Sequence, residues 1–201
     1  MNQTAFVRAC LIAGLLLLVG CADASDIAWQ ERIEIDSGQA FQGPWRMNES
    51  QFLYVDDPSV AFCPHGGTGV VWVDNAQRDV LFQVLEADGS PRFPEAVNVS
   101  RTPNVFSWLP RFVFGEDEAV FVLWHPLGTG FVLSSDGGER FSEPAIIPGS
   151  NDPELGFNGS LQGLLMAPLA MDESGRVAVV NSTFLPGEHS AIWLQKGLIE
   201  P

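Results

Sequence analysis

After residue 26 the apolar positions fall into short runs, each of strand length and each bounded by turn residues. The clearest are Gly69-Val70-Val71-Trp72-Val73, Ala119-Val120-Phe121-Val122-Leu123-Trp124 and Arg176-Val177-Ala178-Val179-Val180. Runs of this length, rich in Val, Phe and Trp and flanked by Gly, Pro, Asn and Asp, predict β-strands. A proline-led run and a turn precede each of them. Asp57-Pro58-Ser59-Val60-Ala61-Phe62 meets His65-Gly66-Gly67. Leu109-Pro110-Arg111-Phe112-Val113-Phe114 meets Gly115-Glu116-Asp117. Ala167-Pro168-Leu169-Ala170-Met171 meets Asp172-Glu173-Ser174-Gly175. A third run follows in each unit: Asp79-Val80-Leu81-Phe82-Gln83-Val84, then Gly130-Phe131-Val132-Leu133, then Ala191-Ile192-Trp193-Leu194. The chain is therefore predicted to be all-β and built from tandem copies of one short-strand unit. Short strands at even spacing suit a sandwich, a barrel or a propeller.

The repeat extends into the turns. Ser134-Ser135-Asp136-Gly137-Gly138-Glu139-Arg140-Phe141 fits the pattern Ser-x-Asp-x-Gly-x-x-aromatic. Glu86-Ala87-Asp88-Gly89-Ser90-Pro91-Arg92-Phe93 has the same layout, with Asp88 and Asp136 48 residues apart. That spacing is close to the roughly 40–50 residues of one propeller blade. An aspartate accepts backbone N–H groups across a turn, glycine supplies positive φ, and the aromatic ring folds back onto the core. Asp88, Phe93, Ser134, Asp136, Gly138 and Phe141 are thus structural candidates.

On these motifs, over residues 55–195, the chain resembles the sialidase-like Asp-box (BNR) β-propeller family. The resemblance implies four-stranded blades: two full ones and a third that stops at its third strand, near Gln195. Propellers close with roughly four to eight blades. Three blades therefore imply two chains pairing into one ring, a shortened relative of a longer protein, or an open partial propeller. Within 27–54, Glu31-Arg32-Ile33-Glu34-Ile35 is a candidate closing strand.

In this family the ligand face is lined by the residues entering each blade and by the loops between second and third strands. That places Asp56, Asp57, Ser107, Trp108, Met166 and Ala167 at the blade entries. It places Asp74, Asn75, Arg78, Asp79, His125, Glu188 and His189 in the loops. The ligand candidates are Asp56, Asp57, Asp74, Arg78, Asp79, Trp108, Arg111 and His125. Sialidases of this kind hold a substrate carboxylate with an arginine triad, where bidentate geometry matters. Here the matching entry positions are Asp56, Trp108 and Met166, and Arg111 is displaced by three. The single tyrosine, Tyr54, precedes the first blade and does not match the family's late-blade nucleophile. No catalytic residue is assigned. Acid pairs drawn from Asp56, Asp57, Asp74 and Asp79 are the glycosidase alternative, with Asp56-Asp57-Pro58 as a plain turn against it. His125, His189 and Asp79 are ligand types that zinc or copper accepts, without close spacing, and neither metal nor cofactor is assigned.

Charge narrows the partners. Ten Lys+Arg stand against 25 Asp+Glu, a net charge of −15. Nucleic-acid binding needs a basic surface, so it is excluded as an expectation. A glycan, an envelope protein and a second copy of the chain remain. The expected activity is non-catalytic binding, with a sialidase-type exo-glycosidase completed by dimerisation, or an inactive truncated relative, as the alternatives.

The N-terminus adds a location. Arg8 precedes an apolar run from Ala9 to Val19, too short for the roughly 20 residues that span a bilayer. A charge, a short apolar run and small residues describe a secretory signal. Leu18-Val19-Gly20-Cys21 resembles the lipobox of bacterial lipoproteins. The resemblance implies cleavage before Cys21 and acylation of its thiol, and Ala22 after it implies the outer membrane of the cell envelope. The expected division is 1–20 signal peptide, 21–54 anchor, tether and closing strand, and 55–201 blades. Of the three cysteines, Cys63 alone remains in the body, and its apolar neighbours predict a core position.

Overall fold

The computed structural model describes residues 28–39, 53–102, 105, 107–125, 129–150, 168–185 and 189–199. These residues form no helix. Their strands make three antiparallel sheets. Sheet 1 is β1 (Val55–Phe62), β2 (Thr68–Asp74), β3 (Asp79–Leu85) and β4 (Val97–Asn98). Sheet 2 is β5 (Trp108–Phe114), β6 (Val120–His125), β7 (Gly130–Ser134) and β8 (Ala145–Ile146). Sheet 3 is β9 (Leu169–Met171), β10 (Arg176–Leu185) and β11 (His189–Leu198). Each sheet pairs its strands in chain order. In such a meander the start of the first strand and the second-to-third turn share one end, here the entry end. The first-to-second and third-to-fourth turns share the other.

The sheets stack face to face. Every position of β6 is buried, because the two faces of sheet 2 serve two cores. Val120, Val122 and Trp124 join Val71, Val73, Val80, Phe82 and Val84 of sheet 1. Phe121 and Leu123 join Val177 and Val179 of sheet 3. Alternation along a strand sends successive side chains to opposite faces, so a strand buried on both sides reads as one unbroken apolar run. Phe82 centres the first core, with edge-to-face contacts to Phe112 (5.5 Å), Phe114 (6.3 Å) and Phe141 (5.5 Å). Cys63 is buried, as its sequence neighbours suggest.

Equivalent turns fix the correspondence between sheets. Cys63 N–H donates to Gly67 O, Gly115 N–H to Ala119 O and Asp172 N–H to Arg176 O. The ladders beside them pair Phe62 with Thr68, Phe114 with Val120, and Met171 with Val177. This corrects the expected alignment of Pro168 with Pro58 and Pro110. Leu169 lies opposite Val179 as Phe112 lies opposite Val122, so Pro168 stands one residue out of step. The turn, not the proline, sets strand register. In sheets 1 and 2 the prolines have another effect. Proline cannot donate to a ladder, and the pairing skips between Asp56 and Ser59 and between Trp108 and Arg111. Asp57 and Leu109, inside those bulges, hold φ of 50° and 48°.

The turns at the far end are stapled by aspartate. Asp136 accepts the Arg140 N–H (2.9 Å), the Ser134 hydroxyl (2.8 Å) and Arg140 Nε (3.0 Å). Asp88 accepts the Ser90 N–H (2.9 Å) and hydroxyl (2.6 Å). Asp172, expected only as part of a turn, accepts the N–H groups of Ser174 (3.0 Å) and Arg176 (3.1 Å) and also Arg176 Nε (2.6 Å). Its i to i+4 pairing with arginine duplicates that of Asp136 in a first-to-second-strand turn.

Glu31–Ile35 pairs with no described strand of its own chain, and Ile33 and Ile35 are exposed. A strand needs a partner ladder, and none is formed there. Further along, Asp36 Oδ2 accepts Trp72 Nε1 at 2.7 Å and Gln39 N–H donates to Leu53 O at 2.8 Å. The signal segment and Cys21 lie outside the described residues, as do Met166, Ala167 and Glu188.

Candidate ligand site at the entry end

The bulges of β1 and β5 bring the entry residues of sheets 1 and 2 together. Asp57 Oδ2 accepts the Leu109 N–H at 3.1 Å, which ties the two bulges directly. Beside it, Asp56 Oδ1 accepts Asn75 Nδ2 at 2.7 Å, and Asn75 also donates to Tyr54 O at 3.1 Å. The β2–β3 loop is thereby fixed to the start of β1. Trp108 is half-buried and pairs with His125 at the first rung of β5 and β6. His125 is buried.

The acids of the loop are committed to holding it. Asp74 Oδ1 accepts the N–H groups of Ala76 (2.8 Å) and Gln77 (3.3 Å), and Oδ2 accepts Gln77 Nε2 (2.8 Å). Short acidic side chains cap turns in this way. Asp79 accepts Asn98 Nδ2 (2.7 Å) and the Ser100 hydroxyl (3.1 Å), joining β3 to the chain after β4. Arg78 sits between them with φ 65°. Arg111 lies further along β5, and its Nη1 donates to the neighbouring Pro110 O at 2.7 Å. The eight sequence candidates thus divide. Asp56, Asp57, Trp108 and His125 lie at the entry end of sheets 1 and 2 and make up the entry cluster. Asp74, Arg78 and Asp79 belong to the β2–β3 turn, and Arg111 lies within the strand.

Electrostatics add Tyr54, which the sequence offered only as a poor match to a nucleophile. Burial lifts its phenol above the usual value, and the charges of Asp56 and Asp57 lift it further. Both effects favour the neutral phenol over the phenolate. The signal was its position two residues before Asp56. Burial also pushes the Asp56 carboxyl above its ordinary value. The Asn75 bond opposes that rise and the neighbouring Asp57 charge adds to it. Among the described residues no group of three or more His, Cys, Asp and Glu is placed to hold a metal ion. The entry end carries an indole, a phenol and carboxylate acceptors. These suit a neutral or cationic polar ligand with an apolar face.

The fold and cluster define an all-β protein of three antiparallel meanders with a polar–aromatic entry site. No protein-family model matches the chain, and no curated protein matches it.

Proposed function

We propose that this chain is a lipid-anchored envelope protein whose three sheets are blades of a sialidase-like propeller, and whose entry cluster binds a glycan or an envelope protein without turning it over. The cluster of Tyr54, Asp56, Asp57 and Trp108 carries this reading. Its aromatic groups suit the apolar face of a sugar ring, and its carboxylates accept hydroxyl or ammonium donors. Asp57, Asp74 and Asp79 serve as loop acceptors, which supports binding over hydrolysis. The blade reading is supported by the repeated meander, the equivalent bulges and the aspartate-stapled turns. The acidic balance, −15 overall, favours neutral or amino sugars over anionic ones. Cys21 acylation places the protein on the outer membrane in this reading.

The test is a glycan array together with turnover of a fluorogenic sialoside. Retention of neutral or amino sugars by the chain, lost on Trp108→Ala, and no turnover is the expected result. Sialoside hydrolysis would replace the binding reading with the exo-glycosidase one.

A further inference from the structure

Three segments share one spacing: an aromatic residue, an aliphatic one four places on, and another six places on. They are Phe93, Val97 and Val99; Phe141, Ala145 and Ile147; and Trp29, Ile33 and Ile35. Glu95, Glu143 and Glu31 each stand two places after the aromatic. The first two segments make fourth strands, β4 and β8, whose residues pack into the two cores. The third has the pattern and no sheet. Trp29, Ile33 and Ile35 are 84, 54 and 41% exposed.

Sheet 3 has the complementary gap. Among the described residues β11 has no neighbour beyond β10, whereas β3 and β7 are each followed by a fourth strand. Phe131 stands opposite Leu123 as Phe82 stands opposite Val71. Phe82 is covered by the turn of the next sheet: it meets Phe141 at 5.5 Å, and a Cβ on Gly138 would lie 2.2 Å from it. At Phe131 the described part of sheet 3 supplies no such turn. A cleft of about 540 Å³ lies there instead, lined by Phe121, Phe131, Leu133, Ile147, Val177 and Val179.

The two outer faces also match. Phe62 and Val60 occupy the places that Phe114 and Phe112 fill in the first core, yet they are 84 and 67% exposed. Ile192 and Leu194 of β11 take the face that packs on the next sheet in sheets 1 and 2, and they are 80 and 59% exposed.

We infer that Trp29–Ile35 of one copy forms the fourth strand of sheet 3 in a second copy, with sheet 1 of the first stacked on sheet 3 of the second; this rests on the blade reading above. The register of Val97 opposite Phe82 places Ile33 opposite Leu194. The same register sets Glu31 against Lys196, the chain's one lysine, and opposite charges across strands are favourable. Ile35 cannot reach its own sheet 3. Asp36 is held on the outer face of sheet 1 through Trp72. Ile35, one residue away, reaches about 3.6 Å, whereas two sheet spacings are about 20 Å. The contact is head-to-tail and closes into a ring when its rotation allows.

The test mixes two full-length chains purified in detergent, both with Cys10 and Cys21 replaced by serine, one carrying Ile33→Cys and the other Leu194→Cys. Under mild oxidation the mixture is expected to give a covalent species of twice the mass, reversed by reductant. No cross-link in the mixture overturns the inference, as does a link formed within a single chain carrying both substitutions. Small-angle scattering separates the two layers of the argument. A cross-link with rod-like scattering keeps the strand exchange and discards the ring. A ring-shaped profile without a cross-link discards the exchange and keeps the blades.

Discussion

The Asp57 carboxylate accepts a hydrogen bond from the backbone N–H of Leu109, 3.1 Å away, and the two residues occupy the same bulge in successive sheets. The bond satisfies a donor that the Pro110 bulge removes from the ladder. An unsatisfied, partly buried N–H costs about 1–3 kcal/mol, and a left-handed alanine about 1–2 kcal/mol relative to a residue suited to that region.

Asp57→Ala is therefore expected to destabilise the chain by about 2 kcal/mol, measured by urea unfolding. Asp57→Asn keeps an acceptor and tolerates positive φ, so it should stay within about 0.5 kcal/mol of the parent. Asp57→Gly relieves the backbone but loses the acceptor, and should fall between them. Equal losses for Asn and Ala would remove the bond from the account.

Gly138 and Phe82 make a second prediction. Gly138 holds φ 95°, and a Cβ there would meet the Phe82 ring at 2.2 Å. Gly138→Ala combines backbone strain with a clash against a ring that is fully buried, so it should cost more than about 2 kcal/mol. Phe82→Ala empties the centre of three aromatic contacts and should cost about 3–5 kcal/mol. Phe82→Leu in the Gly138→Ala background should recover part of the loss, because the clashing ring is gone. A double variant no better than Gly138→Ala alone would contradict this coupling.

Much of this architecture was legible in the residues. The runs 69–73, 119–124 and 176–180 became the central strands β2, β6 and β10, because each carries strand formers on both faces and turn residues at its ends. The Asp136 turn was legible because its serine, aspartate and glycines have fixed roles at fixed offsets. The proline alignment of the third unit misled by one residue, since a proline marks where a ladder breaks and not which residues pair. The Asp172 staple was hidden by its place after a first strand. Phe141 packs on Phe82 of the preceding sheet, a contact between distant segments that no local pattern announces. At the candidate site, Asp74 and Asp79 bound the β2–β3 turn, whereas His125 and His189, expected in loops, lie in β6 and β11. Asp74 and Asp79 stood as ligand candidates and possible members of an acid pair, and only the fold shows them bonded to Gln77, Asn98 and Ser100.

The stapled aspartates set the acid limb of stability. Burial opposes ionisation of Asp136, but the Arg140 N–H, the Ser134 hydroxyl and the Arg140 guanidinium together hold its carboxyl below the ordinary value. Asp172 is held lower still, first by Arg176 and then by Ser174. A carboxyl with a depressed folded pKa stabilises fully above its unfolded value near 3.9. That contribution is lost as pH falls through the folded value. Thermal unfolding should therefore show Tm falling below about pH 4. Asp136→Asn together with Asp172→Asn should lower Tm at pH 7 and flatten the acid limb. An unchanged acid limb would show that other groups set it.

Asp56 works in the opposite sense and gives the sharpest test at the candidate site. Burial raises its carboxyl, the Asn75 bond lowers it, and Asp57 raises it again, with a net upward shift. A carboxyl raised in the folded state binds its proton more tightly there than in the unfolded chain. Its ionised form is thus a destabilising element at neutral pH, and that penalty is relieved as pH falls through the folded value towards the unfolded one near 3.9. Asp56→Asn keeps an oxygen to accept from Asn75 and removes the charge, so it should raise Tm at pH 7 by a few degrees. The gain should shrink on acidification and vanish below about pH 4, where the parent carboxyl is itself protonated. The same substitution removes one of the two charges that raise Tyr54, so the phenol should ionise at lower pH in an ultraviolet titration at 295 nm. If the ligand is a sugar held by an ionised Asp56, the stabilised variant should bind it more weakly. A variant that is both less stable at pH 7 and unchanged in its tyrosine titration would show that Asp56 is neither buried nor coupled to Tyr54, and would take the entry cluster out of the binding proposal.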